Sequence, residues 1–131
     1  MTEVLIVEDD AMFRKRLRNI LTSRFPSVVF REAINGKQAF EEINSSRPAF
    51  IFMDVRLGDD NGLDLTKEIK RLYPKIIISI LTSYDFPEYR EAAFKNGADF
   101  FLIKGSATLG EIAESLETIL FPKDNQGNAQ S

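Results

Sequence analysis

The chain has 131 residues, is 28% charged and 44% hydrophobic, and carries a formal net charge of −3. That length suits one domain of about 100–150 residues, and an acidic balance disfavours non-specific binding of nucleic acid, which needs Lys and Arg against phosphate. With no Cys and no His, disulfides, thiolate nucleophiles, zinc–cysteine sites, Ser-His-Asp triads and histidine-ligated metals are excluded. Any metal must take oxygen ligands, which selects Mg²⁺, Mn²⁺ or Ca²⁺.

Residues 4–7 form a first apolar run, V-L-I-V, closed by Glu8-Asp9-Asp10. No basic region precedes it, so it reads as a strand and not as a signal peptide. Asp10 suits the N-cap of a first helix, which presents Phe13, Leu17, Ile20 and Leu21 at helical spacing. A second strand, 28–30, ends in Arg31-Glu32, a pair with no evident role. Asn35-Gly36 precedes a second helix with Ala39, Phe40 and Ile43 inward. The third strand, 50–53, delivers Asp54. Asp59-Asp60 reads as a solvated loop. Asn61-Gly62 opens a third helix carrying Leu65, Ile69 and Leu72, which Pro74 stops.

The fourth strand, 76–81, leads into Thr82-Ser83. A weaker helix follows, with Tyr89, Ala93 and Phe94, and Asn96-Gly97 predicts its left-handed C-terminal cap. The fifth strand, 100–103, ends at Lys104, and the last helix presents Leu109, Ile112, Leu116, Ile119 and Leu120. Residues 122–131 are polar and read as a tail or a linker cut short. No apolar stretch approaches the ~20 residues of a membrane span, and a cytoplasmic protein is the simplest reading.

Most of the strands are continuous apolar runs, which marks a sheet covered on both faces. Five β/α units predict parallel strands, right-handed crossovers and a three-layer α/β sandwich. Ligands of such sheets gather at the carboxyl ends of the strands. Glu8, Asp9, Asp10, Asp54, Thr82, Ser83 and Lys104 are therefore expected along one edge. Two carboxylates ~4 Å apart repel by about 4 kcal/mol at an effective dielectric near 20. The cluster must take up protons or a cation, and Mg²⁺ is the natural choice, with Mn²⁺ also suited. A Lys and a Thr hydroxyl beside it can hold phosphoryl oxygens, and a carboxylate can itself accept a phosphoryl group.

The ordered set V-L-I-V-E-D-D (4–10), M-D-V-R-L (53–57), N-G-L-D-L (61–65), L-T-S (81–83) and F-F-L-I-K (100–104) resembles the receiver domain of bacterial two-component response regulators. The resemblance covers residues 3 to about 121. It implies a flavodoxin-like (βα)₅ fold of strand order 2-1-3-4-5, the order given for the chemotaxis member as a standard example. It implies Asp54 as phosphoacceptor, with Asp9, Glu8, Asp54 and the backbone carbonyl of Arg56 around Mg²⁺. Thr82 would bond a phosphoryl oxygen beside the small Ser83, Lys104 would pair with the phosphoryl group, and Phe101 would be the rotameric switch or simply core. The donor would be a phosphohistidine on a sensor histidine kinase or phosphotransfer protein, or a small acyl phosphate. The domain would catalyse only its own phosphorylation and dephosphorylation, so it is not expected to be an enzyme in the ordinary sense.

Two positions depart from the family pattern: Gly105 and Gly58 stand where many members carry Pro. A cis bond before a non-proline costs ~2.5–4 kcal/mol, so a trans Lys104–Gly105 bond is expected. The output surface implied is the fourth helix, fifth strand and fifth helix, read by a partner or by a second copy of the chain. Residues 1–121 are expected to form the receiver and 122–131 the tail. A missing DNA-binding domain or a stand-alone receiver are both open, the K-G-S-A-T pattern (104–108) and Arg56 favouring the former. DNA contact from this chain itself is not expected. The basic run Arg14, Lys15, Arg16 and Arg18 reads either as a donor-docking surface or as a solvated face. A metabolite phosphatase is the remaining alternative, but D-x-D-x-T/V fails at Val55-Arg56 and no P-loop is present.

Overall fold

The computed structural model describes residues 2–105 and 108–122. In chain order the elements are β1 (Glu3–Val7), α1 (Ala11–Arg24), β2 (Val29–Ala33), α2 (Gly36–Ser45), β3 (Phe50–Met53), β4 (Arg56–Leu57), β5 (Asp60–Asn61), α3 (Gly62–Leu72), β6 (Ile77–Thr82), α4 (Pro87–Lys95), β7 (Phe100–Ile103) and α5 (Leu109–Leu120). Five of the strands form one sheet in the order β2-β1-β3-β6-β7, with every pairing parallel. Without the two-residue strands this is the expected order 2-1-3-4-5. The remaining two, β4 and β5, make a small antiparallel hairpin between β3 and α3.

The continuous apolar strands serve two cores. Leu5, Val7, Ile51, Met53, Ile78 and Ile80 join Ile43, Ile69 and Ala93 of the α2, α3 and α4 layer. Val4, Ile6, Phe50, Phe52 and Leu81 join Leu17, Leu21, Ile112 and Leu116 of the α1 and α5 layer. Alternate residues of each strand thus point to opposite covered faces. The helix starts follow their side-chain caps: Asp10 accepts from the Met12 and Phe13 amides, Asn35 from Gln38, and Asn61 from Leu63 and Asp64. Gly97, at φ +103°, follows α4 as Asn96-Gly97 predicts. Among the described residues no peptide bond is cis, so Lys104–Gly105 is trans as expected.

Several expectations are corrected. The second strand runs on through Arg31 and Glu32, and both are structural. Arg31 lies 3.0 Å from the Glu3 carboxylate and 2.8 Å from that of Glu42, and it donates to the Glu42 carbonyl near the end of α2. Glu32 accepts from Arg14 at 2.6 Å and pairs with Arg18. Asp60 is not merely solvated, since its carboxylate accepts the Gly36 amide at 2.8 Å. Ile20, Leu72 and Phe94 were expected inward but face solvent. They flank the apolar stripe of each helix instead of forming its centre. Among the described residues no helix is long and apolar enough to cross a membrane. The tail expectation covers 122–131, of which only Pro122 is among the described residues, and Ser106 and Ala107 of the K-G-S-A-T pattern also lie outside them.

Candidate functional site

The site residues are placed by hydrogen bonds that carry the sheet just past its strands. The Glu8 amide donates to the Ala33 carbonyl, the Asp54 amide to Val7, and the Lys104 amide to Thr82, at 2.9, 3.1 and 2.8 Å. β1, β3, β6 and β7 therefore deliver their terminal polar side chains to one edge. Gly62 closes the floor: a Cβ there would lie 1.8 Å from the Asp54 carbonyl oxygen, so only glycine lets α3 begin this close to the strand end.

One carboxylate oxygen each from Glu8, Asp9 and Asp54 lie within 4.8 Å of one another. Glu8 and Asp54 are buried, at 3% and 7% exposure, while Asp9 is open to solvent. The Lys104 ammonium reaches into the group, 2.5 Å from Glu8 and 3.2 Å from Asp54. Asp54 also accepts the Val55 amide at 2.8 Å. The Lys104 nitrogen sits 4.4 Å from the centroid of the Phe13 ring, whose face attracts a cation.

One ammonium does not balance three carboxylates. Burial pushes the Glu8 carboxyl up to about 7, against the opposing pull of Lys104, and the neighbouring Asp54 charge adds to the rise. Burial works against the charge of Lys104, yet the Glu8 and Asp54 carboxylates outweigh it and hold the ammonium above its ordinary range. The site thus keeps its cation, and Glu8 is the carboxyl that holds its proton more firmly than usual. Three hard oxygen donors around a buried negative excess are the donor set of an Mg²⁺ or Mn²⁺ ion, so the residues present fit such a metal.

The other expected residues are distributed around this centre. Thr82 is fully buried, and its hydroxyl accepts the Tyr84 amide at 3.3 Å. Ser83 is exposed. Arg56 is exposed, and its guanidinium lies over the Tyr84 ring, 4.7 Å from the centroid. Phe101 is buried, with the Arg90 guanidinium 5.0 Å from its ring centroid. Of the basic run, Arg14 and Arg18 are committed to Glu32, while Lys15 and Arg16 are exposed.

Sequence reasoning missed two supports. Arg14 donates to the Glu8 carbonyl at 2.8 Å as well as to Glu32, tying the acidic loop to β2. Phe13 was legible only as an apolar helix position, and nothing in its spacing signalled a lysine above it.

A doubly wound parallel sheet whose carboxyl edge gathers Glu8, Asp9 and Asp54, with Lys104 against two of them, is the arrangement expected of a receiver domain. The chain belongs to the response regulator receiver domain family, whose family model matches residues 4–117. It is 34% identical to the chemotaxis protein CheY of Thermotoga maritima, over 77% of this chain and 83% of that one. It is 32% identical to the response regulator protein VraR of Staphylococcus saprophyticus, over 87% of this chain and 54% of that one. The chain thus spans about half the length of that curated relative. A two-component response regulator from Clostridium difficile shares the fold, with a TM-score of 0.86 at 24% identity, over 95% of this chain and 100% of that one. Receiver domains are signalling domains and not enzymes in the ordinary sense.

Proposed function

We propose that this receiver accepts a phosphoryl group on Asp54 in a Mg²⁺-dependent reaction and signals through a changed surface. The observation that carries this reading is the Lys104 ammonium held between the Glu8 and Asp54 carboxylates, with Asp9 completing an oxygen-donor set. Glu8, Asp9, Asp54 and the Arg56 backbone carbonyl would hold the metal. When bound, that ion supplies positive charge to the equatorial phosphoryl oxygens.

An Asp54 carboxylate oxygen attacks phosphorus as the bond to the donor breaks. The donor is a phosphohistidine on a kinase or phosphotransfer protein, whose imidazole departs, or a small acyl phosphate, whose carboxylate departs. Lys104 shifts its ammonium from Glu8 and Asp54 toward a phosphoryl oxygen, and the Thr82 O–H, left free because the hydroxyl only accepts from the Tyr84 amide, donates to another. Ser83 is small and leaves room. Water later attacks phosphorus as its bond to the Asp54 oxygen breaks, which releases inorganic phosphate and restores the Asp54 carboxylate, so the domain also removes its own modification. A donor outside this chain is required, because the sequence contains no His.

The readout surface proposed is α4, β7 and α5, on which a partner or a second copy would dock. Phe101 is buried, and in this reading its inward ring belongs to the signalling form of that surface, whose population a ligand shifts only by its differential affinity for the two forms. Residues 1–121 form the receiver unit in this reading, and residues 122–131 are assigned as a tail or linker. In this reading the chain belongs to a cytoplasmic regulator of transcription, with DNA binding not carried by these residues; that some relatives are transcriptional regulatory proteins supports the transcriptional part. The test is intact-mass analysis after incubation with acetyl phosphate and Mg²⁺. Wild type gains one phosphate and Asp54→Asn gains none. A stoichiometric adduct that persists in Asp54→Asn would remove Asp54 as acceptor.

A further inference from the structure

We infer that the β4–β5 hairpin is a clamp on Asp9 and that Gly58, at its tip, is a positioning residue for the cation. This rests on the reading of Glu8, Asp9 and Asp54 as a Mg²⁺ site and adds to it a residue outside the ligand set. The Gly58 amide donates to Asp9 Oδ2 at 3.0 Å, joining positions 49 apart in the chain. Asp9 is exposed, so packing does not fix its rotamer, and this hydrogen bond does. A carboxylate has four lone-pair directions, so the bond leaves Asp9 free to ligate.

The hairpin is built to hold that amide in place. Gly58 and Asp59 form the two-residue tip between β4 and β5. Gly58 has φ +64°, which two-residue turns favour and proline cannot adopt. From one side Asp60 accepts the Gly36 amide at 2.8 Å and anchors the hairpin to α2. Leu57 is buried in the core, and Arg56 lies over Tyr84 on the far side. A proline at 58, as in the family pattern, would offer neither the amide hydrogen nor this turn. The chain has therefore exchanged a rigid loop residue for a backbone donor aimed at a metal ligand. Hydrogen-bond partners of ligating carboxylates commonly govern metal affinity.

A Cβ at position 58 would meet nothing within 4 Å, so substitutions act through φ and the amide and not through crowding. Asn tolerates the left-handed region and keeps the N–H. The experiment titrates Mg²⁺ into wild type, Gly58→Asn, Gly58→Pro, Asp60→Ala and Asp9→Asn, followed by amide NMR. Gly58→Asn should stay within about twofold of wild type, and Gly58→Pro should weaken Mg²⁺ about tenfold. Asp60→Ala, which keeps the Gly58 amide but frees the hairpin, should weaken it about threefold. The Gly58 amide resonance should move upfield in Asp9→Asn as its acceptor loses charge. Wild-type affinity in both Gly58→Pro and Asp60→Ala overturns the clamp, and if Gly58→Pro does not fold, Asp60→Ala alone decides. An unmoved Gly58 resonance in Asp9→Asn also overturns it. Wild-type affinity in Asp9→Asn overturns the cation site itself, whereas loss there with normal affinity in the hairpin variants overturns only the clamp.

Discussion

Glu8 and Glu32 stand at the same end of adjacent strands, and the Arg14 guanidinium touches both residues. Their chemistry is opposite. Glu32 is partly buried, which opposes its charge, yet Arg18 and Arg14 hold its carboxyl below the ordinary range. Glu8 also faces a cation, Lys104, but shares it with Asp54 and is more deeply buried, and its carboxyl rises to about 7. The difference lies in the ratio of cations to carboxylates. Two arginines for one carboxylate make a fastener between α1 and β2. One lysine for several carboxylates makes a place that still needs positive charge. A buried ion pair is weak evidence of function, but a buried charge imbalance marks where a ligand belongs.

The largest break in that comparison comes from Lys104→Ala, which leaves two buried carboxylates without their ammonium. Phosphoryl incorporation from acetyl phosphate should fall by about 100-fold or more, the cost of losing a charge aimed at the transferring group. Glu32→Gln, by contrast, should leave incorporation unchanged. Rates of mass gain in the two variants check both halves.

The next effect is pH dependence without metal. The folded protein binds the Glu8 proton more tightly than the unfolded chain does, since its carboxyl rises from 4.5 to about 7. This contribution to stability is complete below about pH 4.5 and is lost as pH climbs through about 7, amounting to at most about 3 kcal/mol. Denaturant melts in EDTA should show that decline, and Glu8→Gln should flatten it. Mg²⁺ takes the deprotonated site, so its affinity should rise over the same interval. Metal-free stability that grows from about pH 5 to about pH 8 would contradict the sign.

The smallest effect belongs to the fastener. Glu32→Gln keeps the shape but gives up two charge-assisted contacts and should cost about 1 kcal/mol. A chemical melt reads it directly, and added salt should shrink the gap between variant and wild type.

The reactive edge was legible because each of its residues follows an apolar strand, where the chain leaves the sheet. Asp54 and Lys104 come directly after four-residue runs, and Asn35-Gly36 and Asn61-Gly62 mark helix starts by their capping chemistry. The fastener was not legible. Arg31 and Glu32 are charged residues in an edge strand, and only their partners on α1, α2 and β1 make that half of the strand stable. The hairpin escaped notice because strands of two residues carry no alternation, and the Gly58 donor is a backbone group without a side-chain signature. Helical spacing placed Leu17, Ile69 and Ala93 inward correctly. It does not give the width of the apolar stripe, which is why Ile20, Leu72 and Phe94 lie outside it.

The central claim is that the carboxylate-rich edge binds a metal and a phosphoryl group together on Asp54. Beryllofluoride, which mimics an acyl phosphate, tests both at once when followed by amide NMR. The wild type should form one tight adduct that requires Mg²⁺, moves the resonances of Thr82 and Lys104, spreads to α4 and β7, and is absent in Asp54→Asn. An adduct that forms equally well in EDTA, or survives in Asp54→Asn, would contradict that claim.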